Sequence, residues 1–244
     1  MKTSKIIFTT LLATIALYIL VALIDIRING QKYSELNNRL KVNRTELPSF
    51  SVIYLKNCKN ITLVESDSSY DKNIKLIKSN NFNIEVSVRQ DSIAPDINYS
   101  VKEDTLRIMD FQKPASSFVF AKVYVGNGLN TIQLDNSDIR IYIYNLEKLS
   151  LVLDKSKVYF SSPVANNSSI GILNAILKNQ SSFTANSVTI DSVGIVLENS
   201  EVNLSVSAKI LSGTLSDSSK LAAWQPREIS LKRDATSKFI LNGN

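Results

Sequence analysis

Two aspartates come nearest to a catalytic pair in this chain. Asp135 in "LDNSDIRI" and Asp154 in "LDKSKVYF" hold equivalent places before a polar turn, 19 residues apart. Glycan-cleaving enzymes use two carboxylates about 5–9 Å apart, one carrying a proton for the leaving group and one attacking or activating water. If the two segments lie side by side, their acids come within that reach. Later copies of the phrase place Lys178, Glu198 and Ser216 there instead. Aspartate and asparagine are also ordinary turn formers, because their side chains bond to nearby backbone and tolerate left-handed conformations. The turn reading is preferred, and no catalytic residue is assigned.

Other chemistries are thinly supplied. The 244 residues contain no histidine, which removes the side chain that most readily moves protons near neutral pH. The single cysteine, Cys58, cannot form an internal disulfide or hold a metal alone. It is expected to be a small, partly buried strand or turn residue. No metal site and no cofactor is expected. Four aromatics, Tyr142, Tyr144, Tyr159 and Trp224, fall at outward positions and would be needed for a sugar-stacking platform. Tyr142 and Trp224 share a column but stand four repeats apart, so no continuous platform is expected. The net charge is +6, from 28 basic and 22 acidic side chains, with the basic residues scattered. Nucleic acid is not expected as a partner, since that function collects basic charge on one face.

The elements that position these residues are strands. After Pro48 the apolar residues recur every second position, and no convincing helix follows. "SVKEDTLRI" reads as a tight hairpin with Glu103 and Asp104 at its tip. From Leu129 onward six segments superimpose on a serine after a polar turn: Ser137, Ser156, Ser181, Ser200, Ser219 and Ser237. The steps between them are 19, 25, 19, 19 and 18 residues. The long step contains "SSPVANNSS", expected to be a surface loop. A near-constant step marks stacked repeats, each unable to bury its apolar face alone.

The expected fold is all-β, a parallel β-helix or β-solenoid of rungs about 19 residues long, with regular rungs over 129–244. Each serine shares the inward parity of its apolar neighbours and is expected to bond turn backbone or the serine one rung away. Just outside the serines, Asp138 should sit over Lys157 and Glu201 over Lys220.

Residues Ile6–Ile24 carry no charge. Nineteen helical residues span about 28 Å, close to a bilayer's hydrocarbon thickness. The exit "VALIDIRING" offers no good cleavage site, and no cysteine follows that could carry a lipid. An uncleaved transmembrane anchor is therefore expected over 1–26, a juxtamembrane linker over 27–47, and the β domain over 48–244. The short tail before the span places the amino terminus in the cytoplasm. That makes the chain a single-pass protein of the bacterial inner membrane with its large domain in the periplasm. Secretion or display on the outer surface after signal cleavage is the alternative.

An apolar start, then "FSVIYLKNCKNITLVESD", "INYSVKEDTLRIMDF" and "FAKVYVGNGLNTIQLDNSDIRI", then serine-marked repeats to residue 244, resembles the head GIN domain family of candidate auto-transporter adhesins. The resemblance covers roughly 48–244, and it implies a β-helix-like fold at the cell envelope with no catalytic residues. This chain departs from the family pattern in its few glycines, 7 in all. The expectation is a membrane-tethered, non-catalytic envelope module for binding, adhesion or scaffolding, with the membrane as one partner and a glycan or envelope protein as another. A polysaccharide lyase or hydrolase built on a β-helix is one alternative. A self-assembling structural protein, joined through its last rung, is another.

Overall fold

Side chains alternate faces along a strand, so every segment with period-two patterning has one greasy face to hide. The computed structural model of the chain shows how they are hidden. It describes residues 12, 14–21, 23, 27, 40–65, 82–89, 95–112, 119–126, 128–143, 145–161 and 168–242. The chain divides into two compact units, Met1–Lys41 and Val42–Asn244.

The first unit holds the expected anchor, part of which lies outside the described residues. Residues 12, 14–21 and 23 are helical. Among the described residues, no helix is long and apolar enough to cross a membrane.

The described strands number 18 and fall into two sheets, here A and B. From β8 (Thr131–Asp135) onward the chain visits them alternately. Sheet B receives β8, β10 (Asn145–Asp154), β12 (Ser169–Lys178) and β14 (Thr189–Glu198). Sheet A receives β9 (Asp138–Tyr142), β11 (Lys157–Ser161) and β13 (Ser182–Asn186). The long β15 (Glu201–Ser216) starts in A and ends in B, and β16 (Lys220–Trp224), β17 (Glu228–Arg233) and β18 (Lys238–Asn242) complete the series. Successive strands of each sheet are parallel and in register. Leu134, Leu153, Leu177, Leu197 and Leu215 form one buried column in sheet B. Ile139, Val158, Phe183, Val202 and Leu221 form its counterpart in sheet A. These inner columns are the core.

The stack begins before residue 129, and its order in space is not its order in sequence. β2 (Val52–Lys56) lies between β6 (Thr105–Met109) and β8. β3 (Lys59–Glu65) lies between β7 (Val119–Val125) and β9. An early turn of chain is thus inserted between two later ones. The end beyond β6 and β7 is closed by antiparallel strands. β5 (Asn98–Lys102) covers β6 through the expected hairpin, and β4 (Asn83–Arg89) covers β7. Glu103 and Asp104 both take left-handed backbone, φ 47° and 62°, the pairing that matches the twist of a two-residue hairpin.

The expected linker over 27–47 needs correcting at its end, because Leu40–Glu46 forms strand β1, paired with β4. Its signal was weak for a physical reason. The strand is held by backbone pairing and by an ion pair from Arg44 to the buried Glu85 at 2.9 Å, rather than by an apolar stripe.

Corners are made by left-handed residues. Asn57, Asn136, Lys155 and Asn199, φ 46–54°, each turn the chain in one residue. Asn179–Gln180 and Asp217–Ser218 do so in two. Asparagine suits this role because its short polar side chain offsets the left-handed penalty. The amides also stack: Asn136 Nδ2 donates to Asn57 Oδ1, and Asn57 Nδ2 to Asp110 Oδ1, both at 2.9 Å.

After each corner comes the marker serine, and all six are buried as the parity required. Ser156 Oγ accepts the backbone N–H of Ser137 at 3.0 Å and donates to the carbonyl of Asp154 at 2.6 Å. Ser181 stands in the same relation to Ser156, and Ser219 to Ser200, at 3.1 and 3.2 Å. The hydroxyls of Ser156, Ser181 and Ser219 therefore each satisfy a backbone donor one rung away and a backbone acceptor in their own corner, which a buried corner needs.

A candidate binding surface on the outer face of sheet B

The two aspartates are neighbours. Asp135 and Asp154 are register partners on adjacent strands, a spacing of about 4.8 Å. That is a backbone spacing at the short end of what a paired-acid mechanism needs, and the surroundings do not supply the rest. Asp135 has Lys56 Nζ at 3.5 Å on its other side, because the inserted rung places β2 there. Asp154 Oδ1 accepts from Asn179 Nδ2 at 2.7 Å. Both side chains lie on the outside of a sheet. A cavity of about 280 Å³ lies between β1, β4 and the β5 region, with Ile84, Val86, Ile97 and Tyr99 among its walls, and it contains neither aspartate. The pair is a corner feature on an open face.

Cys58 is fully buried and fills the marker position of the inserted rung. Its backbone N–H donates to Ser137 Oγ at 2.9 Å, and its thiol to the Lys56 carbonyl at 3.2 Å, as Ser137, Ser156 and Ser200 do to the carbonyl two residues back. Burial pushes the thiol above its ordinary range, the opposite of what a nucleophile requires. "LKNCKNI" has the same grammar as "LDNSDIRI", so this role was readable had sulfur been allowed to stand for oxygen.

The aromatics do not assemble. Tyr159 and Trp224 are exposed, Tyr142 is half-buried, and Tyr144 lies outside the described residues. The column through Tyr142 runs by way of Val64 to Tyr124 on the capped side. Tyr124 in turn has the Arg44 guanidinium over its ring at 5.9 Å and donates its hydroxyl to Glu85 at 3.4 Å. Tyr159 accepts from Asn186 Nδ2 at 2.9 Å. Of the outward charge pairs expected, both registers are present. Asp138, however, makes its ion pair with Lys59 of the inserted rung, at 3.9 Å.

A surface that sequence reasoning missed lies on the outside of sheet B. Ile172, Ile176, Val196 and Ile210 are 45, 38, 45 and 42 % exposed. They flank a column of small side chains, Asn174, Gly194 and Ser212, which are register partners on β12, β14 and β15. The result is a shallow trough with aliphatic banks. Its rim carries ion pairs, Lys178 to Glu198 at 3.5 Å and Lys209 to Asp191 at 2.7 Å. An exposed apolar patch rimmed by polar groups marks an interaction site more often than solvent alone would explain.

Local geometry puts the isoleucines there. On four strands, two consecutive residues point outward: Glu147–Lys148, Gly171–Ile172, Asp191–Ser192 and Lys209–Ile210. These aligned irregularities break strict alternation and turn Ile172 and Ile210, which would otherwise face the core, to solvent. Gly171 is required at this line, since a Cβ there would stand 2.6 Å from the Glu147 carbonyl oxygen. The two-residue slip is visible in the sequence only once the strands are aligned.

No family model matches this chain, and no curated protein matches it in sequence. Among solved structures it is similar to a "putative adhesin" from Bacteroides fragilis NCTC 9343, at 13 % identity with a TM-score of 0.58, over 83 % of this chain and 97 % of that one. It is also similar to a "putative adhesin" from Parabacteroides merdae ATCC 43184, at 10 % identity with a TM-score of 0.48, over 85 % and 98 %. The head GIN resemblance rests on the sequence patterns quoted above. What the Bacteroides structure adds is the fold, an all-β architecture shared along nearly the whole of that protein.

Proposed function

We propose that this chain is a two-sheeted β-solenoid acting as a non-catalytic binding module of the bacterial envelope, in adhesion or scaffolding, with the outer face of sheet B as its docking surface. The observation that carries the reading is the trough between Ile172, Ile176, Val196 and Ile210. The Asp135–Asp154 pair lies on the outer face of a sheet, and the Cys58 thiol is buried in a structural position. The apolar segment Ile6–Ile24 tethers the chain to the inner membrane with the domain in the periplasm, a placement that rests on the sequence pattern.

The test is co-sedimentation of the full chain with isolated insoluble envelope material. Ile176→Asp combined with Val196→Asp should weaken binding about tenfold or more, equivalent to about 1.4 kcal/mol. Tyr159→Ser on the other sheet should not. Equal binding by both variants removes the sheet B face from the reading. Recovery of the full chain in the soluble cytoplasmic fraction removes the envelope placement.

A further inference from the structure

The two ends of the stack differ. Beyond β6 and β7 the parallel strands are covered by antiparallel β4 and β5. At the other end, β17 pairs only with β15 and β18 only with β16 among the described strands. Among the described residues, no strand covers their outer edges. They also leave core-facing side chains uncovered: Ile229 is 43 % and Leu241 57 % exposed, and Leu231 and Phe239 are partly so. Natural proteins shield such edges or use them.

We propose that this edge is used by a second copy of the chain, with two stacks meeting end to end across a two-fold axis. The identity of the occupant follows from the edge's own charge pattern. A two-fold axis makes each edge strand antiparallel to its equivalent in the other copy. Antiparallel partners must also share a face, so the permitted registers pair residues of like parity. With Ser230 on the axis, Ile229 meets Leu231 of the other copy on the core side. On the outside Glu228 then meets Lys232, and the axis makes that contact twice. With Ile240 on the axis of β18, Phe239 meets Leu241 and Lys238 meets Asn242. Opposite charges therefore face each other at Glu228 and Lys232, Arg233 runs past the start of the other copy's β17 to Arg227, uncovered core residues close over one another, and the uncharged Ile240, 49 % exposed, meets itself. The lysines Lys232 and Lys238 would repel a basic strand, but this register gives Lys232 an acidic partner.

A two-fold contact uses the same edge in both copies and closes at two, whereas pairing this edge with the β4–β5 end of another copy would grow head to tail. The two-fold arrangement is the one that sets Glu228 against Lys232. This proposal is independent of the use of the outer face of sheet B.

The experiment is sedimentation of the full chain in detergent micelles. A dimer is expected. Glu228→Lys alone, or Lys232→Glu alone, should raise its dissociation constant about tenfold through like charges facing across the axis, and the double exchange should restore it. Ile240→Cys should give a disulfide-linked dimer under mild oxidation, whereas Tyr159→Cys should not. A monomer at all concentrations overturns the proposal. So does equal association by the single and double charge variants, or a dimer abolished by Val196→Asp but linked no better through Cys at 240 than at 159.

Discussion

Replacing Ser156 with alanine tests the corner chemistry on which the stack rests. The side chain is fully buried, and its hydroxyl does two things. It accepts the Ser137 N–H at 3.0 Å and donates to the Asp154 carbonyl at 2.6 Å. Alanine fits the space, so no clash confuses the result. The substitution leaves the Ser137 donor buried without its side-chain acceptor, at about 1–3 kcal/mol, and loses the bond to Asp154, worth about 0.5–1.5 kcal/mol. The sum is about 1.5–4.5 kcal/mol, within the range expected for breaking a buried polar pair. Urea unfolding followed by circular dichroism measures it directly, with Ser182→Ala as the control at the next corner. Ser182 sits just outside the marker column, and its replacement should stay within about 0.5 kcal/mol of wild type. If Ser156→Ala costs no more than that control, the serines are small residues filling a tight corner, and the hydrogen-bonding account is wrong.

Four further outcomes follow from the geometry. Lys155, with φ 49° in a corner where other rungs use asparagine, should be improved by Lys155→Asn, raising stability by about 0.5–1.5 kcal/mol in the same assay. Gly213→Ala should cost at least about 2 kcal/mol in thermal unfolding, because φ is +147° and the new Cβ would stand 1.9 Å from the Ile195 carbonyl oxygen. Cys58→Ser should change stability by less than about 1 kcal/mol, since serine holds the same relation in the other rungs. It should also lessen alkaline destabilisation, because the native thiol resists an ionisation that the unfolded thiol undergoes at its ordinary pKa, so its stability contribution falls as pH rises past that value. Asp234 is held well below the usual carboxylate range by the Ser237 hydroxyl and by backbone N–H groups of Asp217 and Ser237. Its contribution is complete above about pH 4 and is lost as pH falls through the depressed value. Asp234→Asn should flatten that acid limb in a plot of melting temperature against pH.

The parts legible in the sequence were those set by local alternation. Inward parity predicted the columns Leu134–Leu153–Leu177 and Ile139–Val158–Phe183, and the serine spacing predicted their register, including Glu201 against Lys220. The exceptions were non-local. Nothing within "SVIYLKNCKNITLVE" says that it stacks against a segment some eighty residues later and not against the next strands in line, so Cys58 went unrecognised as a marker and Lys59 as the partner of Asp138. β1 carried too little apolar material to announce itself. The trough on sheet B depends on paired outward residues that break the period in four strands at once, which single-strand reading registers as noise.

The inserted rung bears on how the protein is made. Cys58 bonds to Ser137 across 79 residues, and among the described strands β2 and β3 find parallel neighbours in strands that leave the ribosome well after them. A nascent chain cannot wind this coil up from its front end. Contacts of long sequence separation assemble slowly because loop entropy is lost before they form. The serial turns after residue 131 can instead close on their immediate predecessors as they appear, leaving the earliest strands to be threaded into place between finished layers. Birth order and assembly order would then run in opposite directions for this rung, with β2 and β3 made before the layers that receive them.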